Sequence, residues 1–109
     1  SGSAGAAAAI VFECGPLRVD LGERRVFRDG AEVKLTPIEY RLLTTLVKYA
    51  GKVVTHRQLL ESVWGPDSAE ENHYLRVYMT HLRRKLEPDP MRPRLFVTEA
   101  GVGYRLRRD

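Results

Sequence analysis

The feature that most constrains this chain is residues 73–86, which are followed by a proline-rich break and a short glycine-turned segment, residues 96–105. The apolar residues of the first segment recur at spacings of four, three and four. On a helix of 3.6 residues per turn, this spacing places them in one stripe about 60° wide. They are Leu75, Met79, Leu82 and Leu86. The spacing predicts an amphipathic helix whose apolar stripe faces a core.

The opposite face of this helix mixes hydrogen-bond donors with small apolar groups. It carries His73, Val77, Thr80, His81 and Arg84, flanked by Arg76, Arg83, Tyr74 and Lys85. Val77 and Thr80 can make apolar contacts with thymine methyl groups in the DNA major groove. A basic hairpin follows the helix directly, as in DNA-binding domains that place a helix in this groove. The pattern predicts a DNA-binding surface. A solvated helix can carry the same charges without binding DNA, so docking of an acidic protein partner is the alternative hypothesis.

The preceding residues indicate a small sheet and two further helices. Turn residues separate four β-type runs, at residues 10–13, 17–21, 24–28 and 31–34. Two capping-box patterns, Thr36 with Glu39 and Thr55 with Gln58, predict two helix starts. The first helix should end near Gly51 and the second near Gly65. Val53 and Val54 could form a very short strand. We predict an α+β winged helix-turn-helix with an N-terminal four-stranded antiparallel sheet, three helices and a C-terminal β-hairpin wing.

Charge is distributed unevenly along the chain. Nine Lys and Arg balance nine Asp and Glu in residues 1–70, whereas nine oppose five in residues 71–109, so the net charge of +4 arises in the last third. This favours an anionic partner. No apolar run approaches the roughly 20 residues of a membrane-spanning helix, and we expect no membrane partner. Cys14 is the only cysteine, which fits a reducing cytoplasm and a buried thiol.

The first nine residues are small and lack the basic region of a secretory signal. We expect residues 1–9 to be a tag scar or linker, and residues 10–109 to form one winged-helix DNA-binding domain.

Metal and catalytic sites are poorly supported. His73 and His81 are separated by roughly 12 Å along a helix, which one ion cannot bridge, and His56 and Cys14 would complete a site only in an unlikely fold. Asp67, Ser68 and His73 lie within one short stretch and have no nucleophile elbow. Gly101 and Gly103 are more typical of hairpin turning than of dinucleotide binding. We expect no metal, no cofactor and no enzymatic activity.

Several motifs carry a family resemblance over residues 10–107. They are the four-strand start, Thr36-Pro37-x-Glu39-x-x-Leu42-Leu43, Val63-Trp64-Gly65, Leu82-Arg83-x-Lys85-Leu86 and Gly101-x-Gly103-Tyr104-Arg105. In order and spacing they resemble the OmpR/PhoB-type winged-helix effector domain of two-component response regulators. The helix variant His73-Tyr74-Leu75-Arg76-x-Tyr78-Met79-x-His81 is similar to the branch that regulates potassium-transport genes.

The resemblance implies partners outside this chain. In this family a receiver domain, phosphorylated by a sensor histidine kinase, precedes the effector domain. Phosphorylation promotes dimers, and each dimer places two effector domains on direct repeats of double-stranded promoter DNA. The resemblance also implies a loop that contacts RNA polymerase. This loop comprises Gly65, Pro66, Asp67, Ser68, Ala69, Glu70 and Glu71.

The resemblance also assigns roles to single positions. Base contacts fall on Tyr74, Val77 and His81, and His73 and Arg76 complete the recognition helix. Phosphate contacts fall on Thr80, Arg83, Arg84, Thr98, Tyr104 and Arg105. Glu99-Ala100 stands where relatives often carry a minor-groove Arg, and Arg105, Arg107 or Arg108 are candidates to supply that charge. Arg76 and His81 also depart from common family residues, which implies a different operator sequence.

Overall fold

The computed structural model describes residues 10–68 and 72–108. Residues 1–9, for which the sequence predicts a tag scar or linker, lie outside the described residues. Two sheets flank three helices. This architecture confirms the predicted winged helix-turn-helix with its four-stranded N-terminal sheet and C-terminal hairpin.

The first sheet is an antiparallel meander with strand order β1-β2-β3-β4. Its strands are β1 (Val11–Cys14), β2 (Leu17–Asp20), β3 (Arg25–Arg28) and β4 (Ala31–Val33). Asp29 and Gly30 connect β3 to β4 with φ angles of 52° and 82°. Two positive φ angles match the right-handed twist of the flanking strands, which is why Asp-Gly predicts this turn from sequence. Leu17, Val19 and Val26 point into the core.

Three helices follow, α1 (Pro37–Lys48), α2 (His56–Trp64) and α3 (Asn72–Leu86), with a short 3-10 turn at Pro66–Ser68. The first two begin where the capping boxes predict. The Thr36 hydroxyl accepts from the Glu39 backbone N–H, and the Glu39 carboxylate accepts from the Thr36 N–H at 3.0 Å. Thr55 and Gln58 repeat this reciprocal pattern at the start of α2. Each box satisfies two backbone donors that a helix start would otherwise leave unpaired.

The second sheet has the order β5-β7-β6 and closes the C-terminal end of the fold. It consists of β5 (Val53–Thr55), β6 (Phe96–Glu99) and β7 (Gly103–Leu106). A Cβ at Gly103 would collide with the backbone carbonyl of Val54, so β5 and β7 approach closely only because this position has no side chain. The wing is therefore fixed to the segment between α1 and α2.

The core lies between the three helices and the two sheets. The predicted stripe of α3, Leu75, Met79, Leu82 and Leu86, is no more than 1% exposed. The same cluster contains Cys14, together with Leu42, Leu43 and Leu46 of α1 and Leu59, Leu60 and Val63 of α2. The predicted phase of α3 is confirmed. Among the described residues, no helix is both long and apolar enough to cross a membrane.

Candidate nucleic-acid interface

The outward face of α3 combines exposed apolar groups with cations. Tyr74 and Val77 are each 47% exposed, on the side of α3 opposite its four buried apolar residues. His73, Arg76, Thr80 and Arg84 are also exposed. The structure thus brings most of the sequence-predicted contact residues of the helix onto one accessible surface. We call this surface, comprising His73, Tyr74, Arg76, Val77, Thr80, His81 and Arg84, the α3 face.

Local contacts orient three side chains of the α3 face. The Thr80 hydroxyl donates to the Arg76 carbonyl at 3.0 Å, which turns its methyl group and oxygen along the helix surface. The rings of His73 and Tyr74 lie 4.1 Å apart, centroid to centroid, at the start of α3. Both contacts restrict side-chain rotation before any ligand binds, which reduces the entropy lost on binding.

Arg83 connects α3 to the wing. Its guanidinium donates to the Phe96 carbonyl at 2.7 Å and to the Thr98 hydroxyl at 2.6 Å. It also lies 5.6 Å from the centroid of the Tyr104 ring. Burial lowers the pKa of Arg83, opposed by Tyr104 and Glu87. Two of the predicted phosphate contacts, Arg83 and Thr98, are therefore bonded to each other.

The remaining wing residues differ in accessibility. Tyr104 is only 6% exposed, and its ring packs edge-on against His56 at 5.6 Å. Arg105 is partly buried and pairs with the Glu99 carboxylate at 3.1 Å. This pair reduces the positive charge that β7 presents to solvent. Arg107 and Arg108, just beyond β7, are exposed.

A cluster around Glu39 joins α1 to α3. The Glu39 carboxylate is 3% exposed, accepts from Lys85 Nζ at 2.6 Å and lies 3.5 Å from His81 Nδ1. Burial on its own would raise the pKa of Glu39, but hydrogen bonds from Lys85 and Thr36, together with the charges of Lys85 and His81, hold it below its usual value. The capping pattern predicts Glu39 at the helix start, but nothing local indicates its contact with α3.

A second buried carboxylate anchors the segment between α3 and β6. Glu87 is fully buried and accepts from the backbone N–H groups of Arg94, Leu95 and Phe96 at 2.8 to 3.0 Å. Arg28 of β3 donates to the carbonyls of Lys85 and Glu87 at 3.3 and 3.4 Å. Cations at the C-terminal end of a helix stabilise its dipole. The sequence patterns predicted neither Glu87 nor Arg28 as part of this contact.

The predicted polymerase loop is only partly described. Gly65, Pro66 and Asp67 follow α2 on the surface or close to it, whereas Ala69, Glu70 and Glu71 lie outside the described residues. Trp64, immediately before this loop, is half-buried, and its ring lies 5.5 Å from that of Tyr78. Within residues 10–68 and 72–108, no group of three or more His, Cys, Asp or Glu residues could hold a metal ion.

Comparison with known proteins places this geometry in a family. Residues 30–106 match the family model described as "Transcriptional regulatory protein, C terminal". The chain is 62% identical over 87 residues to the KDP operon transcriptional regulatory protein KdpE of Escherichia coli K12, covering 80% of this chain and 39% of that protein. It is 52% identical over 95 residues to the transcriptional regulatory protein KdpE of Mycobacterium tuberculosis, covering 87% and 42%. The chain thus spans about two fifths of the length of these relatives.

Solved structures share the fold. The response regulator DrrB of Thermotoga maritima, an OmpR/PhoB homolog, superposes with a TM-score of 0.81 at 33% identity, over 90% of this chain and 44% of that chain. The DNA-binding domain of CpxR from Escherichia coli gives a TM-score of 0.74 at 31% identity, over 88% and 94%. The match over residues 30–106 and these similarities show that the chain belongs to the family of C-terminal domains of transcriptional regulatory proteins, of the OmpR/PhoB type.

Proposed function

We propose that this chain binds double-stranded promoter DNA in a sequence-specific manner, as the effector domain of a KdpE-like two-component regulator. The observation that carries the proposal is the composition of the α3 face. Tyr74 and Val77 remain half exposed beside Arg76 and Arg84, although the opposite side of α3 is fully buried. Apolar groups flanked by cations suit base edges flanked by phosphates.

The family resemblance assigns the roles within this proposed interface. The bases are contacted by Tyr74, Val77 and His81, and His73 and Arg76 lie beside them on the α3 face. The DNA phosphates are contacted by Thr80, Arg83, Arg84, Thr98, Tyr104 and Arg105. Arg84 is the most accessible of the predicted phosphate-binding cations, since Arg83 and Arg105 already hold partners within the chain.

The wider assembly is proposed from the relatives. An effector domain spanning residues 10–109 follows a receiver domain that a sensor histidine kinase phosphorylates, and the regulator acts in the cytoplasm on potassium-transport genes. The name of the Escherichia coli relative, which refers to the KDP operon, supports this assignment. Residues 65–71 contact RNA polymerase. The domain contributes binding and carries out no chemical reaction.

Duplex binding across a salt series tests the proposal. The chain is titrated with a potassium-transport promoter duplex and with a scrambled duplex of the same composition. We expect tighter binding to the promoter at every salt concentration, with a slope of log K against log salt that corresponds to several phosphate contacts. His81→Ala should change the preference at one base pair by about 1 to 3 kcal/mol.

Arg18→Ala serves as a matched control, because Arg18 is an exposed cation on the N-terminal sheet, away from α3. It should leave the affinity and the salt slope unchanged. Equal affinity for promoter and scrambled duplexes, or no binding to either, would contradict sequence-specific binding at this operator. Binding of an acidic protein instead of DNA would favour the protein-docking alternative.

A further inference from the structure

His81 occupies a different environment on each side of its ring. Its Nδ1 edge lies 3.5 Å from Oε2 of the buried Glu39 carboxylate, while 42% of the side chain remains exposed. The Tyr78 ring packs edge-on against the imidazole at 5.4 Å, which limits its rotation. With Nδ1 directed inward, Nε2 is the ring nitrogen available to a ligand at the α3 face.

The other oxygen of Glu39 is occupied. Oε1 accepts from the Thr36 backbone N–H at 3.0 Å and from Lys85 Nζ at 2.6 Å. His81 faces two titratable groups, Glu39 from α1 and Tyr78 from α3, and Lys85 of α3 binds the same carboxylate. The pKa of Glu39 lies below its usual value, so this carboxylate is ionised at neutral pH. An ionised carboxylate accepts hydrogen bonds and donates none.

We propose that Glu39 is a positioning residue that keeps the proton of neutral His81 on Nδ1, so that Nε2 becomes the atom that reads a DNA base. A negative charge at the Nδ1 edge favours the tautomer with hydrogen on that nitrogen. Neutral His81 then presents Nε2 as an acceptor, and protonated His81 presents it as a donor. The DNA part of this inference rests on the proposed function, whereas the tautomer does not.

This geometry makes base preference depend on pH. An Nε2 acceptor matches the amino groups of adenine N6 and cytosine N4 in the major groove, and an Nε2–H donor matches guanine N7 and O6. Histidine is the side chain whose charge ordinarily changes between about pH 5 and 8. At the base pair that His81 contacts, we therefore expect adenine or cytosine to be preferred at higher pH and guanine at lower pH.

Nuclear magnetic resonance of the DNA-free chain tests the tautomer. Long-range proton–nitrogen correlations of ¹⁵N-labelled histidine distinguish the two neutral forms. Above about pH 8, where histidine is ordinarily neutral, we expect His81 to carry its proton on Nδ1. In Glu39→Gln, the population should move toward the Nε2–H form that predominates in free histidine.

Lys85→Met is the matched control. Like Glu39→Gln, it removes the ion pair between Lys85 and Glu39, but it leaves the Glu39 carboxylate next to His81. It should retain the Nδ1–H form, with circular dichroism verifying the fold of each variant. An Nε2–H tautomer in the unmodified chain, or the same tautomer populations in Glu39→Gln and the unmodified chain, would overturn the proposal.

Base preference against pH tests the consequence for DNA. A set of duplexes varied at one base pair is measured at about pH 5.5 and about pH 7.5. We expect the ratio of guanine to adenine or cytosine affinity to rise at least about fivefold at the lower pH. The change should disappear in His81→Gln.

The outcomes separate the two proposals. Sequence-specific binding with a pH-independent preference, or with the same change in His81→Gln, would overturn the inference about His81 and leave the proposed function intact. Absence of specific DNA binding together with the expected tautomer would contradict the proposed function while supporting the positioning role of Glu39.

Discussion

Arg83 of the third helix donates a hydrogen bond of 2.7 Å to the backbone carbonyl of Phe96 in the first wing strand. The same guanidinium group donates to the hydroxyl of Thr98, two residues further along this strand. The α3 face and the wing are therefore held in one relative orientation by a charged side chain. A surface that must match two features of DNA at once, a groove and its adjacent backbone, binds more tightly when these parts are fixed beforehand.

Arg83→Ala and Arg84→Ala should differ in their effect on the free energy of unfolding. Each substitution to Ala should lower the salt slope of DNA binding by about one unit if the residue contacts a phosphate. Arg83→Ala should also reduce the free energy of unfolding by about 1.5 to 3 kcal/mol, since it removes hydrogen bonds from a charged group to the wing. Arg84→Ala should leave stability nearly unchanged because the side chain is exposed.

Salt-dependent duplex binding and urea unfolding of the two variants provide the measurements. A salt slope that stays constant in Arg84→Ala would contradict its phosphate contact. Equal stability of the two variants would contradict the structural role of Arg83.

Glu87 should be among the most sensitive positions for stability. Its buried carboxylate accepts from three consecutive backbone N–H groups, and Glu87→Gln replaces one accepting oxygen by an NH₂ group that opposes a donor. We expect a loss of about 2 to 4 kcal/mol in the free energy of unfolding. Asp89→Asn is the matched control, because Asp89 is exposed and its carboxylate accepts a local hydrogen bond from the Met91 backbone N–H. Urea unfolding of both variants measures the difference, and similar losses in the two would refute the anchoring role.

Truncation of a residue in the apolar stripe of α3 should destabilise the fold. Leu82 is fully buried, so Leu82→Ala should cost about 2 to 5 kcal/mol through lost burial and the cavity that remains. Val77→Ala on the exposed side should change stability by less than about 0.5 kcal/mol in the absence of DNA. Chemical denaturation followed by circular dichroism compares them. A near-neutral Leu82→Ala would show that the helix phase is wrong.

Acid should weaken the contact between α1 and α3. The pKa of Glu39 is lower in the folded chain than in the unfolded chain, so its contribution to stability is fully present above the unfolded value, about 4.3, and is lost as the pH falls toward the folded value. The stability advantage of the unmodified chain over Glu39→Gln should therefore be larger at pH 6 than at pH 3. Thermal unfolding of both proteins at the two pH values measures it. An advantage independent of pH would contradict an ionised Glu39.

The sequence by itself determined the local elements of this protein. The capping boxes at Thr36 and Thr55, the Asp29-Gly30 turn and the apolar spacing of α3 predict their structures correctly, because each depends on residues a few positions apart. The sequence also indicated which side of α3 is exposed, since burial of one stripe leaves the opposite side accessible. The family resemblance supplied the contact roles, which remain predictions.

Only the tertiary structure decided how the charged residues are partnered. Glu39 meets Lys85 from 46 positions away, and Arg28 reaches the end of α3 from 57. Such pairs depend on the angle at which helices and sheets pack, and no local pattern encodes that angle. The same reason explains why Arg83, Tyr104 and Arg105 were predicted only as phosphate contacts. Their bonds and burial within the chain arise when the wing folds back against α3.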